Sequence, residues 1–321
     1  MLFNHIRTRA YFHWLNKSGS EPLSSISNWL DSEREEQFLS SLPKQPVWDF
    51  SILDQNCLRD ESVILSIPGN ILIPDFEIAE MVKGNGWCIA ASRSLSLISQ
   101  KPERIYVSKP SGEILHAELS TGHNAHDIID EIATKGFRKV LAAIANGKKN
   151  EVFQSMASFV KEANDDARCG RFNDGMNRNM MNAMVKAWRE ELTEPELKGL
   201  RKGNFETNGF KKLLSAKSMT KTIVGAYSFD DYSIDHINAL AIFPSFSACY
   251  MIALSALALE WIAKGGFDQV KAERITNDLI DIEFIATSIF CQSLFSKENR
   301  VNSLRSIRNV SIILRQNFKL I

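Results

Sequence analysis

Short apolar segments near the start of the chain alternate with segments of helical pattern, and this alternation constrains the fold most. The apolar segments cover 50–54 (FSILD), 70–74 (NILIP) and 104–108 (RIYVS), with helical patterns over 76–84 and 88–100 between them. Parallel strands require long crossover connections, which are usually helical. The order therefore predicts an α/β fold, with a central parallel sheet flanked by helices.

The charge balance and the cysteines limit the class of protein. The 321 residues include 38 basic and 38 acidic side chains, so the formal net charge is zero. This argues against a generally basic surface for nucleic acid, although a local basic groove remains compatible with it. The five cysteines are widely spaced and form no CxxC pair. This usage argues against a disulfide framework or a structural zinc site and predicts a cytoplasmic location.

Neither of two suggestive segments predicts a membrane partner. Residues 1–18 include basic residues but have no uninterrupted apolar core and no cleavage site, so we do not expect them to form a signal peptide. Residues 241–263 are apolar over about the length of a membrane span, but they contain Pro244, several serines and Glu260. We expect them to form a buried core helix.

Five carboxylates lie at the edges of apolar elements. Asp54 ends the first predicted strand, and Glu80 lies in a helix whose surface is otherwise mostly apolar. Asp278 and Asp281 are three residues apart, which places both on one helical face. Glu298 follows a further predicted strand, QSLFS. Such carboxylates would repel one another unless a cation neutralised them, and oxygen ligands favour Mg²⁺ or Mn²⁺ over zinc.

These positions resemble the motifs of the PIN-like ribonuclease superfamily. The segment FSILDQN matches its "L-D-x-N" pattern at Asp54 and Asn56, and IAEM matches its helical acid at Glu80. The segment NDLIDIEF (277–284) resembles an "N-D-x-x-D-x-E-Y" form in which an Asp opens a late helix, and SKE resembles "S-x-D" at Glu298. The likeness covers roughly 49–110 and 245–310.

The resemblance implies a domain over 49–321 with a helical insertion at about 120–244. It also implies a set of site residues around Mg²⁺ or Mn²⁺. The implied catalytic residues are Asp54, Glu80, Asp278 and Asp281; the implied metal ligands are Asp54, Asp278, Asp281 and Glu298; the implied supporting residues are Asn56, Asn277 and Glu77.

The activity implied by the resemblance is metal-dependent cleavage of single-stranded RNA, as in a bacterial toxin or an anti-phage defence effector. Two departures from the family pattern leave an alternative open: Glu298 replaces an Asp, and Gln292 stands where many relatives have an Asp. A catalytically inactive PIN-like scaffold that binds RNA or a protein partner fits the same residues. A DNA nuclease of related fold is a third reading.

The predicted acids also have simpler interpretations. Asp54 is a turn-forming residue type. Glu80 would also suit an exposed position on a half-buried helix, and Glu77 of the same segment is a rival for the role of helical acid. Asp278 and Asp281 would also suit the first turn of a helix, where acids are favoured. Glu298, in a charged loop, has the composition of an ordinary solvated residue.

The segment before the α/β region has its own pattern. Residues 1–40 predict a hairpin of two helices, and 41–48 predict a linker. The pattern RAYFHWL…G…NWLDSEREE resembles a small helical family of unknown function. Two interpretations of this hairpin are open: it binds a further partner, either a protein regulator or a second copy of the chain, or it packs on the core of its own chain.

Overall fold

The computed structural model of the protein describes residues 50–82, 85–125, 128–157, 160, 174–201, 233, 236–237, 240, 245–265, 270–299 and 301. The predicted hairpin (1–40), the linker (41–48) and part of the predicted insertion (120–244) lie outside these residues.

Four parallel strands form one sheet in the order β3–β2–β1–β4. The strands are β1 (Phe50–Leu53), β2 (Asn70–Ile73), β3 (Ile105–Val107) and β4 (Ser293–Phe295). Every residue of β1 is buried, as expected for a strand with neighbours on both sides and helices over both faces. The predicted parallel sheet with flanking helices, and hence a general α/β fold, is confirmed.

Helices cover both faces of this sheet. Their bounds are α1 (Gln55–Leu58), α2 (Glu61–Ser66), α3 (Asp75–Met81), α4 (Trp87–Ile98), α5 (Ser111–Thr121), α6 (Glu131–Ala145), α7 (Asp174–Glu191), α8 (Glu194–Arg201), α9 (Phe246–Ala263) and α10 (Ala272–Ser288). Successive side chains of β1 point to opposite faces of the sheet. Phe50 and Ile52 join the core with α9 and α10, whereas Leu53 joins the core with α4 and α6.

Helices from the predicted insertion pack against the rest of the domain. The Thr134 hydroxyl of α6 accepts a hydrogen bond of 3.0 Å from the backbone N–H of Val107, and Arg138 donates to the carbonyl of Ile105 at 2.8 Å. Helix α7 contacts both α9 and α10. These described parts of the insertion therefore belong to the layers that cover the sheet.

Helix α9 is the central helix of one layer. It is long and apolar enough to cross a membrane, with a mean hydropathy of 1.6, but 78% of it is buried inside the protein. A core helix passes the same test of length and composition, so the prediction of a buried core helix is confirmed. The helix is followed by Gly265, which has a φ of +98°, a conformation that glycine adopts readily.

The N-terminus of α9 is capped by a buried carboxylate from another helix. Glu118 of α5 accepts hydrogen bonds from the backbone N–H groups of Phe246 (3.0 Å) and Ser247 (2.8 Å), and from that of Ala125 (2.9 Å). Burial raises the pKa of Glu118, and these hydrogen bonds oppose the rise. The carboxyl group of Glu118 thus lies at the positive end of the helix dipole.

Two helices differ from the sequence-based expectation. Helix α10 begins at Ala272, so Asp278 and Asp281 lie beyond its first turn. The interpretation of these two residues as first-turn charges is wrong, and so is the expectation that Asp278 opens the helix. Helix α5 lies where no helix is predicted. Its sequence (SGEILHAELST) is short and has few apolar residues, so it gives only a weak helical pattern.

Candidate functional site

The sheet has a topological switch point between β1 and β4. From β1 the sheet extends through β2 to β3, whereas β4 lies on the opposite side of β1. In open α/β sheets, ligands bind in the crevice beyond the carboxyl ends of the strands at such a switch point. Asp54 follows β1 at this edge, and residues 296–298 follow β4. The sheet topology therefore predicts a ligand-binding crevice between these two strand ends.

A cavity of about 310 Å³ opens at this edge. It is lined by Asp54, Gln55, Asn56, Phe76, Glu77, Glu80, Asn277, Ile280, Asp281, Phe284, Glu298 and Val301. Seven of the eight residues predicted for the site are in this group. The exception is Asp278, which is only 6% exposed and does not line the cavity.

Asp54 joins β1, the short helix α1 and the segment after β4. Its Oδ1 accepts a hydrogen bond of 2.7 Å from the backbone N–H of Cys57 and so caps α1. Its Oδ2 accepts from the Ser296 hydroxyl (2.6 Å) and the Lys297 backbone N–H (2.7 Å). An ionised carboxylate has about four lone-pair sites, so these three bonds leave capacity for one further contact, at Oδ1.

The simple interpretation of Asp54 as a residue that organises a turn is thus correct, and it is compatible with a second role in the cavity.

The carboxylate of Asp54 also affects the thiol of Cys57. Burial, followed by the charge of Asp54, raises the pKa of Cys57 to about 12. The thiol therefore stays protonated at neutral pH and is not a candidate nucleophile.

The segment after β4 is held against the segment after β1 by further contacts. The amide of Asn56 donates a hydrogen bond of 2.7 Å to Oε1 of Glu298, and the ammonium of Lys297 binds the carboxylate of Asp60. This ammonium holds the pKa of Asp60 well below its usual range. Glu298 itself is exposed, and the contact with Asn56 fixes its position at the cavity.

Glu77 is the most deeply buried carboxylate of the cavity, with 3% of its surface exposed. Burial raises its pKa well above the usual value of 4.5, and the nearby charges of Glu80, Asp54 and Asp281 raise it further. A hydrogen bond from the backbone N–H of Gln55 opposes this rise. The Oε2 atom of Glu77 is buried and has no hydrogen-bond partner among the described residues. A carboxylate in this environment is suited to a cationic ligand or to a proton.

Helix α10 contributes one stripe of residues to the cavity. Asn277, Ile280, Asp281 and Phe284 recur at helical spacing and all line it. Asp278 lies on the flank of this stripe, which explains why Asp281 lines the cavity and Asp278 does not. The three-residue spacing of the two acids brings them near one face, but not to the same contact surface.

The donor set of the cavity fits a hard divalent cation in its chemistry. The five carboxylates Asp54, Glu77, Glu80, Asp281 and Glu298 offer only oxygen, the ligand type that Mg²⁺ and Mn²⁺ prefer. The unpartnered Oε2 of Glu77 adds a specific ligand atom. However, within the described ranges no three or more Asp, Glu, His or Cys side chains converge closely enough to hold a metal. Coordination by three carboxylates would require side-chain rotation, for which the half-buried Glu80 and Asp281 border open space.

Gln55 is a cavity residue that the sequence pattern did not identify. The resemblance assigns no role to the residue between Asp54 and Asn56. Its position directly after the strand-ending aspartate was the available signal, since residues at strand carboxyl ends meet at one edge of a parallel sheet. Its side-chain nitrogen is buried and has no hydrogen-bond partner within the described part of the chain.

Comparison with protein-family models, curated proteins and solved structures finds no match to this chain.

Proposed function

We propose that the protein is a PIN-like, metal-dependent endoribonuclease whose active site is the acidic cavity at the carboxyl ends of β1 and β4. One observation carries the proposal: five carboxylates from four separate segments of the chain line a single cavity at the switch point of a parallel sheet. No lysine, arginine or histidine is among the described residues that line the cavity.

The electrostatics of the cavity support a cationic ligand. Glu77, Glu80, Asp54 and Asp281 interact closely enough to raise the pKa of Glu77. A divalent cation would lower the energy of the ionised forms of these groups, because it replaces repulsion with attraction. Glu80 and Asp281 are half-buried, and each borders the cavity from a different helix. We therefore assign Glu80 and Asp281 as the main metal ligands. Oε2 of Glu77 and the remaining lone pair on Oδ1 of Asp54 are assigned as further ligands.

The remaining residues have positioning roles. Asn56 holds the carboxylate of Glu298 at the cavity, and Ser296 holds Asp54. When bound, Mg²⁺ or Mn²⁺ would supply Lewis acidity for attack of water on a phosphodiester. Asp278, which lies on the flank of the α10 stripe, is assigned no direct contact with substrate or metal. The choice of RNA follows from the sequence resemblance. The proposed cytoplasmic location follows from the cysteine usage, and a protein regulator or second copy as partner follows from the N-terminal hairpin.

The alternative function is an inactive PIN-like scaffold that binds RNA or a protein partner. It is favoured by the absence of three converging metal ligands in the described residues. It is also favoured by the three hydrogen bonds that already engage Asp54. These contacts would be retained in a protein that had lost the metal.

A cleavage assay separates the two functions. Purified protein would be incubated with end-labelled single-stranded RNA in Mn²⁺, in Mg²⁺ and in EDTA, with single-stranded DNA of the same sequence in parallel. The proposal predicts internal cleavage of RNA that requires the metal. RNA binding without cleavage in any metal would establish the scaffold, and preferential cleavage of DNA would establish the DNA nuclease.

A further inference from the structure

The cavity is rich in hydrogen-bond acceptors and poor in donors. Its carboxylates accept hydrogen bonds when ionised, and four of its twelve lining residues are apolar. Among the described lining residues, the three amide side chains Gln55, Asn56 and Asn277 are the donors when the carboxylates are ionised. A phosphodiester presents oxygens that carry negative charge, so its binding requires donors or cations.

The three amides are not equally available as donors. The nitrogen of Asn56 donates to Glu298, and Asn277 lies on the exposed surface of α10. The Nε2 atom of Gln55 is buried and has no hydrogen-bond partner within the described residues. Gln55 is thus the buried donor that remains for a ligand.

The backbone fixes Gln55 between two carboxylates. It directly follows Asp54, which caps α1, and its own backbone N–H binds the Glu77 carboxylate. The side chain therefore starts from a rigid position at the carboxyl edge of β1. A neutral donor there binds an anionic oxygen without adding a positive charge that would compete with a cation for the carboxylates.

We propose that Gln55 is a catalytic residue whose side-chain N–H donates a hydrogen bond to a non-bridging phosphate oxygen of the substrate. This inference rests on the proposed function and adds the donor that the acidic residues cannot supply. The competing role is structural: Nε2 of Gln55 would rotate to bind Oε2 of Glu77, the other unpartnered buried atom of the cavity. The two roles predict different kinetic effects.

The test compares Gln55→Leu and Gln55→Glu with wild type and with Gln100→Leu. Gln100 is exposed and does not line the cavity, so its variant controls for an added apolar side chain. The steady-state kcat and KM for labelled RNA, the Mn²⁺ affinity by calorimetry and the Tm would be measured for each protein. Gln55→Glu keeps the size of the side chain and serves if Gln55→Leu fails to fold.

The expected result is a fall of about 100-fold in kcat/KM for both Gln55 variants, the usual effect of removing one donor to a developing negative charge. The Mn²⁺ affinity and Tm of Gln55→Leu should match wild type. Unchanged cleavage would overturn the inference, and so would a loss of cleavage that is matched by a loss of Mn²⁺ affinity or of Tm.

A binding measurement separates failure of this inference from failure of the proposed function. If the wild-type protein cleaves no RNA, the binding of inorganic phosphate in Mg²⁺ would be measured by calorimetry. Phosphate binding that weakens about tenfold or more in Gln55→Leu would support the donor role without a nuclease. Phosphate binding that is absent, or equal in the two proteins, would overturn it.

Discussion

The carboxylate of Asp54 and the hydroxyl of Ser296 are joined by a hydrogen bond of 2.6 Å, although 242 residues separate them in the chain. The same hydroxyl accepts a hydrogen bond of 3.0 Å from the backbone N–H of Glu298. Ser296 thus connects the carboxylate of Asp54 to the backbone of Glu298. It joins the carboxyl ends of β1 and β4, whose backbones also meet through the Asp54 N–H and the Phe295 carbonyl at 3.1 Å.

Replacing Ser296 with alanine should lower the free energy of unfolding by about 2 kcal/mol, because a hydrogen bond to a charged partner is lost. Urea unfolding monitored by circular dichroism would measure this. Ser96→Ala is the matched control, since Ser96 is exposed and bonds only within its own helix. An equal midpoint for Ser296→Ala and Ser96→Ala would contradict the connecting role.

Glu80→Gln and Asp281→Asn should each reduce the rate of metal-dependent RNA cleavage by about 100-fold or more. The Tm of each variant should stay within a few degrees of wild type. Asp54→Asn would not separate metal binding from folding, because it would also break the contacts to Cys57, Ser296 or Lys297. Glu131→Gln supplies an exposed control. Cleavage that survives in both cavity variants would exclude the cavity as the active site.

Asp278→Asn should reduce cleavage much less than Asp281→Asn, because only Asp281 lines the cavity. The comparison of the two rates at saturating Mn²⁺ measures this directly. A greater loss of cleavage in Asp278→Asn, at equal Tm, would restore the metal-ligand role that the sequence resemblance implies for Asp278.

Glu77 makes stability depend on pH in the metal-free protein. Its folded pKa lies above its ordinary value of 4.5 because of burial and the charges of Glu80, Asp54 and Asp281. Its contribution to stability is therefore fully present below about pH 4.5 and is lost as the pH rises through the folded pKa. Glu77→Gln, which stays neutral, should be more stable than wild type at pH 8 and lose this advantage toward pH 5.

Urea unfolding in EDTA at pH 5 and pH 8 tests the role of Glu77. Glu103→Gln is the control, because Glu103 is exposed. A difference between wild type and Glu77→Gln that is equal at both pH values would show that the folded protein does not disfavour the ionised form of Glu77.

Glu118→Gln should lower the free energy of unfolding by about 2 to 3 kcal/mol. One oxygen of the carboxylate becomes an NH₂ group, which leaves buried donors at the start of α9 without an acceptor. Glu113→Gln, an exposed change on the same helix, should have little effect. Similar unfolding midpoints for the two variants would contradict the cap.

Seven of the eight site residues implied by the family resemblance line one cavity, because the strand ends and helices that carry them meet at one sheet edge. Local sequence pattern by itself predicted the four strands. It did not predict Glu118, whose capping of α9 depends on a contact between residues 128 positions apart. It also placed the start of α10 too late, since charged residues over 271–274 hid a helix that Ile275 and Leu279 continue. Gln55 was missed because an amide after an aspartate reads equally well as a turn.

The most direct test of the central claim is a calorimetric titration of Mn²⁺ into the wild-type protein, Glu80→Gln, Asp281→Asn and Glu131→Gln. We expect saturable binding by wild type and Glu131→Gln, with the affinity reduced at least about tenfold in each cavity variant. No binding by the wild-type protein, or equal binding by all four proteins, would contradict a metal centre in this cavity.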